Sequence, residues 1–183
     1  MAGPLPTIET PRLALRSVEP RDVGALFAIF SDPESMRYWS SPPMRDPAEA
    51  EALLADIIRH AEAGTLFQWG IAERENDRVI GTCTLFKLET QHRRAELGYI
   101  IRRDHWGRGL AREALTALLH HAFSERKLHR LEADVDPRNS RSIRLVERLG
   151  FKLEGHLRER YLVGDDIQDS LMYGILATEW RAR

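Results

Sequence analysis

The residues best placed by type and spacing to do chemistry run from Ile101 to Ala111, as Ile101-Arg102-Arg103-Asp104-His105-Trp106-Gly107-Arg108-Gly109-Leu110-Ala111. A strand-like apolar run enters a glycine-rich turn, and the turn opens a long apolar-periodic helix. Gly107 and Gly109 carry no Cβ, so backbone N–H groups there can approach a ligand closely. The N–H groups of a helix's first turn, with a dipole worth about half a positive charge behind them, favour a phosphate. Arg102, Arg103, Arg108 and Arg112 add local positive potential. A turn of this composition also arises from tight packing alone, and a lone Gly-x-Gly does not decide between the two. It is not Gly-x-Gly-x-x-Gly, because position 112 is Arg, and no Gly-Lys-Ser/Thr follows. Dinucleotide and nucleoside-triphosphate binding both lose ground.

A second element lies about 30 residues downstream. Asn139-Ser140-Arg141-Ser142 precedes Ile143, Leu145, Val146 and Leu149, then Gly150-Phe151. Together with the turn and its helix, it resembles the acetyl-CoA site of the GNAT superfamily of N-acetyltransferases. In that family a Gln/Arg-x-x-Gly-x-Gly/Ala pattern cradles the pyrophosphate. Here it falls on Trp106-Gly107-Arg108-Gly109-Leu110-Ala111, with Trp in place of Gln/Arg at the first position. Further stretches are similar to the RimJ/RimL-type branch, whose founding members acetylate N-terminal amino groups of ribosomal proteins. They are Glu9–Arg16, Asp32–Trp39, Ala95–Tyr99, and Tyr161, Gly164, Asp169 and Glu179-Trp180.

The resemblance implies acetyl-CoA as co-substrate, no metal, and a primary amine as acceptor. Cofactor contacts are then expected from Tyr99, Ile100, Ile101, Trp106, Gly107, Arg108, Gly109, Leu110, Ala111, Asn139 and Ser142. The backbone N–H groups of Ile100 and Ile101 are expected to bind the thioester carbonyl and pantetheine amides, as the family's splayed fourth strand does. Glu96 is the candidate base, on the same strand face as Gly98 and Ile100; a plain strand glutamate paired with Arg93 or Arg94 is the bland alternative. Ser142 is the candidate acid towards the leaving sulfur by analogy with RimL-type enzymes, against a first-turn serine that only satisfies helix N–H groups. Tyr161 is the alternative acid. An α-amino group has a pKa near 8 and an alkylammonium one near 10, so about one α-amine in ten is neutral at pH 7 and a weak base suffices.

Other residues have simpler explanations. Cys83 sits in a strand-like run and reads as a buried small hydrophobe. His120 and His121 are adjacent on a helix and point about 100° apart, so they form no i, i+4 metal pair. Arg138, Arg141, Arg144 and Arg148 mark a basic helix face, from which one could reach the cofactor's 3′-phosphate. Tyr38 and Trp39 either line the acceptor mouth or cap the core. Glu49, Glu51 and Asp56 could attract a cationic amine, although no clear acidic trough is legible.

The elements that must hold these groups follow from periodicity. Leu13, Leu15 and Ser17 alternate on a first strand. Val23, Leu26, Phe27 and Phe30 form a helical face behind Pro20. Asp46-Pro47-Ala48-Glu49 reads as a capping box opening a helix whose stripe is Leu53, Leu54, Ile57, Ile58 and Ala61, stopped by Gly64. Phe67–Ala72 and Val79–Leu88 form a hairpin around Glu75-Asn76-Asp77, and Ala95–Ile101 is the next strand. The long helix begins near Gly107, with rows Leu110/Ala114/Leu118/Ala122 and Leu115/Leu119/Phe123. A strand at Leu131–Val135, a helix at Asn139–Leu149, and strands at Phe151–Leu157 and Asp169–Leu176 close the chain. The fold expected is mixed α/β, a GNAT-like and mostly antiparallel sheet of about seven strands flanked by about four helices, forming one N-acetyltransferase domain over residues 1–183.

Composition sets the outer limits. Of 183 residues 43% are hydrophobic and 30% charged, which supports a packed core and excludes a disordered chain. Lys plus Arg is 27 against 28 for Asp plus Glu, a net charge of −1, so any anion site is local and nucleic-acid binding is disfavoured. One cysteine gives neither a disulfide nor a zinc pattern. No apolar run approaches the roughly 20 residues of a membrane span, and Met1-Ala2-Gly3-Pro4-Leu5-Pro6 lacks a signal peptide's basic start and apolar run. The expectation is a cytoplasmic enzyme with an amine acceptor as partner, a homodimer being allowed. The alternatives are a non-catalytic acyl-CoA sensor and an acetyltransferase for a small amine such as a polyamine or antibiotic.

Overall fold

The computed structural model describes residues 5–181. Eight strands form one sheet in the order β1-β2-β3-β4-β5-β6-β8-β7. They are β1 (Ile8–Glu9), β2 (Leu13–Ser17), β3 (Phe67–Glu73), β4 (Val79–Glu89), β5 (Arg94–Ile101), β6 (Arg130–Val135), β7 (Lys152–Val163) and β8 (Asp166–Leu176). Every pairing is antiparallel except β5 with β6. This is the mixed, mostly antiparallel sheet expected, with the two-residue β1 as the additional strand.

The helices are α1 (Val23–Phe30), α2 (Pro33–Met36), α3 (Pro47–Ala63), α4 (Leu110–His120), α5 (Ser140–Leu149) and α6 (Ala177–Arg181). One sheet face buries Leu13, Trp69, Leu85, Ala95, Leu97 and Ile101 under α4 and α5. The other buries Val18, Val79 and Ile100 under α1 and α3. Alternation along β5 therefore places Glu96, Gly98 and Ile100 on the α1/α3 face, and Leu97, Tyr99 and Ile101 on the α4/α5 face.

Local signals explain several boundaries. The capping box of α3 forms as expected: Asp46 accepts from Ala48 N–H (2.8 Å) while Glu49 accepts from Asp46 N–H (2.9 Å). Gly64, at φ 68°, closes that helix in the left-handed region. Its stripe is narrower than expected, because Ala50, Leu54 and Ile57 are buried while Ile58 is exposed. The α4 helix starts at Leu110 rather than near Gly107, since Gly107 and Gly109 both take positive φ (75° and 76°) and interrupt helical hydrogen bonding. It ends in a π-helical turn at His121–Glu125 that buries Ala122 and Phe123. The closing hairpin is longer than its apolar pattern indicates. β7 reaches Val163 and β8 starts at Asp166, because β7 is an edge strand exposed along most of its length and its residues need not alternate.

Candidate active site

The parallel pairing of β5 with β6 covers only Arg94–Glu96 against Arg130–Glu132. Beyond it, β5 stays paired to β4 as far as Ile101 and β6 to β8 as far as Val135. The two strands therefore diverge, leaving a wedge inside the sheet whose facing backbone groups lack ladder partners. Buried peptide groups are almost always hydrogen-bonded, so such an opening suits a ligand that carries amides of its own.

Strand alternation says which amides face it. Arg102 N–H donates to Ile80 O on β4 (2.9 Å), and Arg93 O accepts from His129 N–H on the β6 side (2.7 Å). Backbone groups of Gly98 and Ile100 thus point to β4, while those of Leu97, Tyr99 and Ile101 point into the wedge. This corrects the expectation for Ile100, whose N–H is turned away by one residue of register; Ile101 and Tyr99 offer the inward N–H groups. The outermost inward carbonyl, Ile101 O, accepts from Trp106 Nε1 at 2.7 Å. The Trp106 indole thereby bolts the turn to β5, with the Arg141 guanidinium 4.8 Å above its ring.

Behind Trp106, Gly109 is the N-cap of α4 and brings no side-chain cap. The first four N–H groups of a helix have no intrahelical acceptor, so those at the start of α4 are available to an anion. The glycine-rich turn, its positive φ angles and the wedge fit a ligand with a diphosphate at one end and amides at the other.

Glu96 opens the wedge on the α1/α3 face. It is 7% exposed, and Oε1 accepts from Lys87 Nζ at 2.8 Å. Among the described residues, its Oε2 is the buried side-chain atom with no hydrogen-bond partner. Arg94 does not pair with it; it bridges Glu89 (2.5 Å) and Glu132 (3.1 Å) instead. Leaving a buried acceptor unpaired costs about 1–3 kcal/mol, so Oε2 is poised to receive a proton donor.

Ser142 lies on the opposite face, 8% exposed in the first turn of α5. Its backbone N–H donates to Asn139 Oδ1 (3.1 Å), so Asn139 supplies the cap and the serine hydroxyl is released from that duty. What Asn139 retains for a ligand is its Nδ2. The Ser142 hydroxyl lies 3.1 Å from Tyr99 OH, and burial pushes the Tyr99 phenol above its ordinary pKa. Tyr161 sits with Glu96's face rather than with Ser142: its hydroxyl donates to Asp134 Oδ2 at 2.7 Å. Burial raises its pKa as well.

Sequence reading missed a row of carboxylates on the Glu96 face. Glu132 pairs with Glu96 in register and Asp134 follows on the same face. Each is already matched: Glu132 by Arg94 and Arg130, Asp134 by Arg160, Tyr161 and Ser170. Of Glu49, Glu51 and Asp56 on α3, two are engaged locally, Glu49 in its capping box and Asp56 with Arg59 (2.8 Å), while Glu51 is exposed on the same helix. Arg138 is not a free cation either, being held by Asp136 (2.6 Å) and Asp166 (2.9 Å). Trp39 caps the core edge-on to Phe30 (5.9 Å), while Tyr38 lies between Arg37 and Arg138. Cys83 is buried, and desolvation pushes its thiol far up.

Comparison with known proteins agrees with this geometry. An acetyltransferase (GNAT) domain matches residues 12–152. The chain is 36% identical over 174 residues, 95% of its length and 98% of the relative's, to an uncharacterized N-acetyltransferase, p20, of Bacillus licheniformis. It is 28% identical over 181 residues (94% and 92%) to the ribosomal protein uS5-alanine N-acetyltransferase of Escherichia coli. The crystal structure of spermidine N-acetyltransferase from Vibrio cholerae in complex with CoA and spermine superposes with a TM-score of 0.84 at 27% identity, covering 94% of this chain and 99% of that one. Wedge, turn and relatives converge: the chain belongs to the GNAT family and is an acetyl-CoA-dependent N-acetyltransferase.

Proposed function

We propose that this enzyme acetylates a single primary amine, an α-amino group at a protein or peptide N-terminus or on a small molecule, by direct attack in a ternary complex. The observation that carries this reading is Glu96 Oε2, the buried acceptor without a partner at the mouth of the wedge. The neighbouring carboxylates Glu132 and Asp134 already hold cations of the chain itself, so the site offers room for one amine rather than a bare acidic trough. The uS5-alanine relative supports a RimJ/RimL-type assignment.

Acetyl-CoA supplies the activated acetyl thioester when bound. The turn Trp106–Ala111, with Gly107, Arg108, Gly109 and Leu110, holds the diphosphate through backbone N–H groups, and Asn139 Nδ2 contacts the pantetheine arm. Tyr99 and Ile101 N–H groups face the wedge and donate to the thioester carbonyl, where negative charge develops during attack. Glu96 Oε2 accepts the proton that the amine loses. Ser142 donates its hydroxyl hydrogen to the departing sulfur from the other side and regains a proton from solvent. Glu96 returns the amine's proton to solvent, so that one proton in all passes from amine to thiol.

A second reading has a specific observation behind it. The row Glu96, Glu132 and Asp134 would suit a polyamine if its arginines swung away, and the Vibrio cholerae neighbour binds spermine. One assay separates these readings: release of free thiol from acetyl-CoA with an N-terminal peptide, spermidine and single amino acids as acceptors. Binding of acetyl-CoA without thiol release from any amine would overturn both in favour of a sensor.

A further inference from the structure

The Arg12 side chain, on the turn between β1 and β2, reaches across to the start of α4. Its Nη1 donates to Arg108 O at 3.0 Å, and its Nε donates to Glu113 Oε2 at 2.7 Å. Glu113 Oε1 accepts from Arg12 N–H (2.8 Å) and from Thr10 Oγ1 (2.7 Å). Both carboxylate oxygens of a first-turn residue of α4 are thus bound to a segment about 100 positions earlier in the chain.

Two physical points make this bracket more than a surface ion pair. A trans peptide is planar, with its C=O and the following N–H pointing in opposite directions. Holding Arg108 O towards Arg12 therefore turns Gly109 N–H away from Arg12, to the other side of the turn. The second point is the placement of Glu113. A carboxylate in the first turn stabilises a helix on its own but repels an anion bound at the same N-terminus. Burial works against its charge, yet the hydrogen bonds from Thr10 and Arg12 outweigh it and hold the Glu113 carboxyl below its ordinary range.

We propose that Arg12 is a positioning residue for the cofactor turn: anchored by Glu113, it fixes the Arg108–Gly109 peptide so that Gly109 N–H faces the diphosphate. This rests on the reading of Trp106–Ala111 as the diphosphate cradle. The Arg12 guanidinium is spent on Arg108 O and Glu113, so its effect should be confined to donors that carry a diphosphate.

The experiment compares acetyl-CoA with S-acetylpantetheine, a donor lacking the diphosphate, in the wild type, Arg12→Met and Glu113→Gln. The expected result for Arg12→Met is a KM for acetyl-CoA raised at least tenfold, kcat within about twofold, and kcat/KM for S-acetylpantetheine unchanged. Glu113→Gln separates geometry from charge. Removing a negative charge beside the turn should tighten diphosphate binding if charge alone matters, whereas loss of the Arg12 anchor should raise KM severalfold. Equal losses on both donors, an unchanged KM for acetyl-CoA in Arg12→Met, or a lowered KM in Glu113→Gln each overturn the proposal. Should the wild type use both donors equally well, the cradle reading fails first and takes the proposal with it.

Discussion

Tyr99 and Ser142 meet hydroxyl to hydroxyl at 3.1 Å, joining the wedge-lining strand β5 to the first turn of α5. With Tyr99 as donor, the single hydrogen on Ser142 Oγ is left for another acceptor. Asn139 has already relieved the serine of capping duty. We expect Ser142→Ala to lower kcat by tenfold or more with acetyl-CoA affinity within about twofold. Tyr99→Phe should lower kcat less, and the double variant should lose no more than Ser142→Ala alone, because the two hydroxyls act as one unit. Additive losses in steady-state kinetics would mean that they work independently.

Glu96 faces the acceptor side of the same strand, with Lys87 on one oxygen and nothing on the other. Glu96→Gln keeps the shape and loses the base. Removing a general base typically lowers the rate by about 10²–10⁴, and calorimetry should find acetyl-CoA binding unchanged. Turnover near the wild-type level across neutral pH would reduce Glu96 to a partner of Lys87.

At Gly109 the protein leaves space for a side chain: an added Cβ would meet only Arg12 Nη2, at 3.7 Å. The constraint is the backbone, at φ 76°, which costs an L-residue roughly 1–2 kcal/mol. Gly109→Val should therefore fold with a modest loss of stability, while a β-branched side chain beside the N–H cradle weakens coenzyme A more than tenfold. Gly109→Asn, which tolerates left-handed geometry, should recover the stability but not the affinity. Calorimetry and thermal unfolding of both variants test the two halves separately.

The site was legible in parts that differ in kind. Motifs that are local in sequence came through: the Gly107/Gly109 turn, the Asp46/Glu49 capping box, and the apolar rows of α4. What was not legible depends on pairing between distant segments. Alternation puts Arg16 on the solvent side of β2, yet it is buried because Asp22 takes it bidentately (2.7 and 3.0 Å) and Asp77 adds a third contact (2.7 Å). The wedge exists only because β5 and β6 part after Glu96, and its inward amides are fixed by the register with β4. The carboxylate row is invisible for the same reason, since Glu96 and Glu132 become neighbours through a parallel ladder.

His121, in the π-helical turn, gives a pH prediction. Burial first, then the neighbouring Arg126 charge, lowers its pKa below the ordinary 6.5, with His120 adding slightly and Glu125 opposing. Arg126 Nε lies 3.3 Å from His121 Nε2, and its guanidinium sits 3.6 Å over the Phe67 ring, while Trp69 meets the imidazole edge-on. A lowered folded-state pKa means the unfolded chain binds the proton first. This contribution is therefore complete above about pH 6.5 and is lost as pH falls through the folded pKa. Urea midpoints should drop between pH 7.5 and pH 5.5 by more in the wild type than in His121→Gln. Equal drops would show that other groups set the acid sensitivity.

The acceptor prediction draws on the charge balance of the Glu96 face. Lys87, Arg94, Arg130 and Arg160 compensate Glu96, Glu132 and Asp134, so a polycationic substrate would have to displace the chain's own cations. A single neutral amine needs only the free oxygen of Glu96. At pH 7 about a tenth of α-amines are neutral, against well under a thousandth of lysine side chains. A competition between an Ala- or Ser-starting peptide, its N-blocked lysine-containing counterpart and spermidine should show acetylation of the free N-terminus first. Raising the pH from 7 to 9 should help the lysine peptide far more than the N-terminal one, because the α-amine fraction approaches saturation while the lysine fraction still grows nearly a hundredfold. Preferential acetylation of spermidine would shift the assignment to the carboxylate row, and lysine acetylation of the blocked peptide would overturn the α-amine reading.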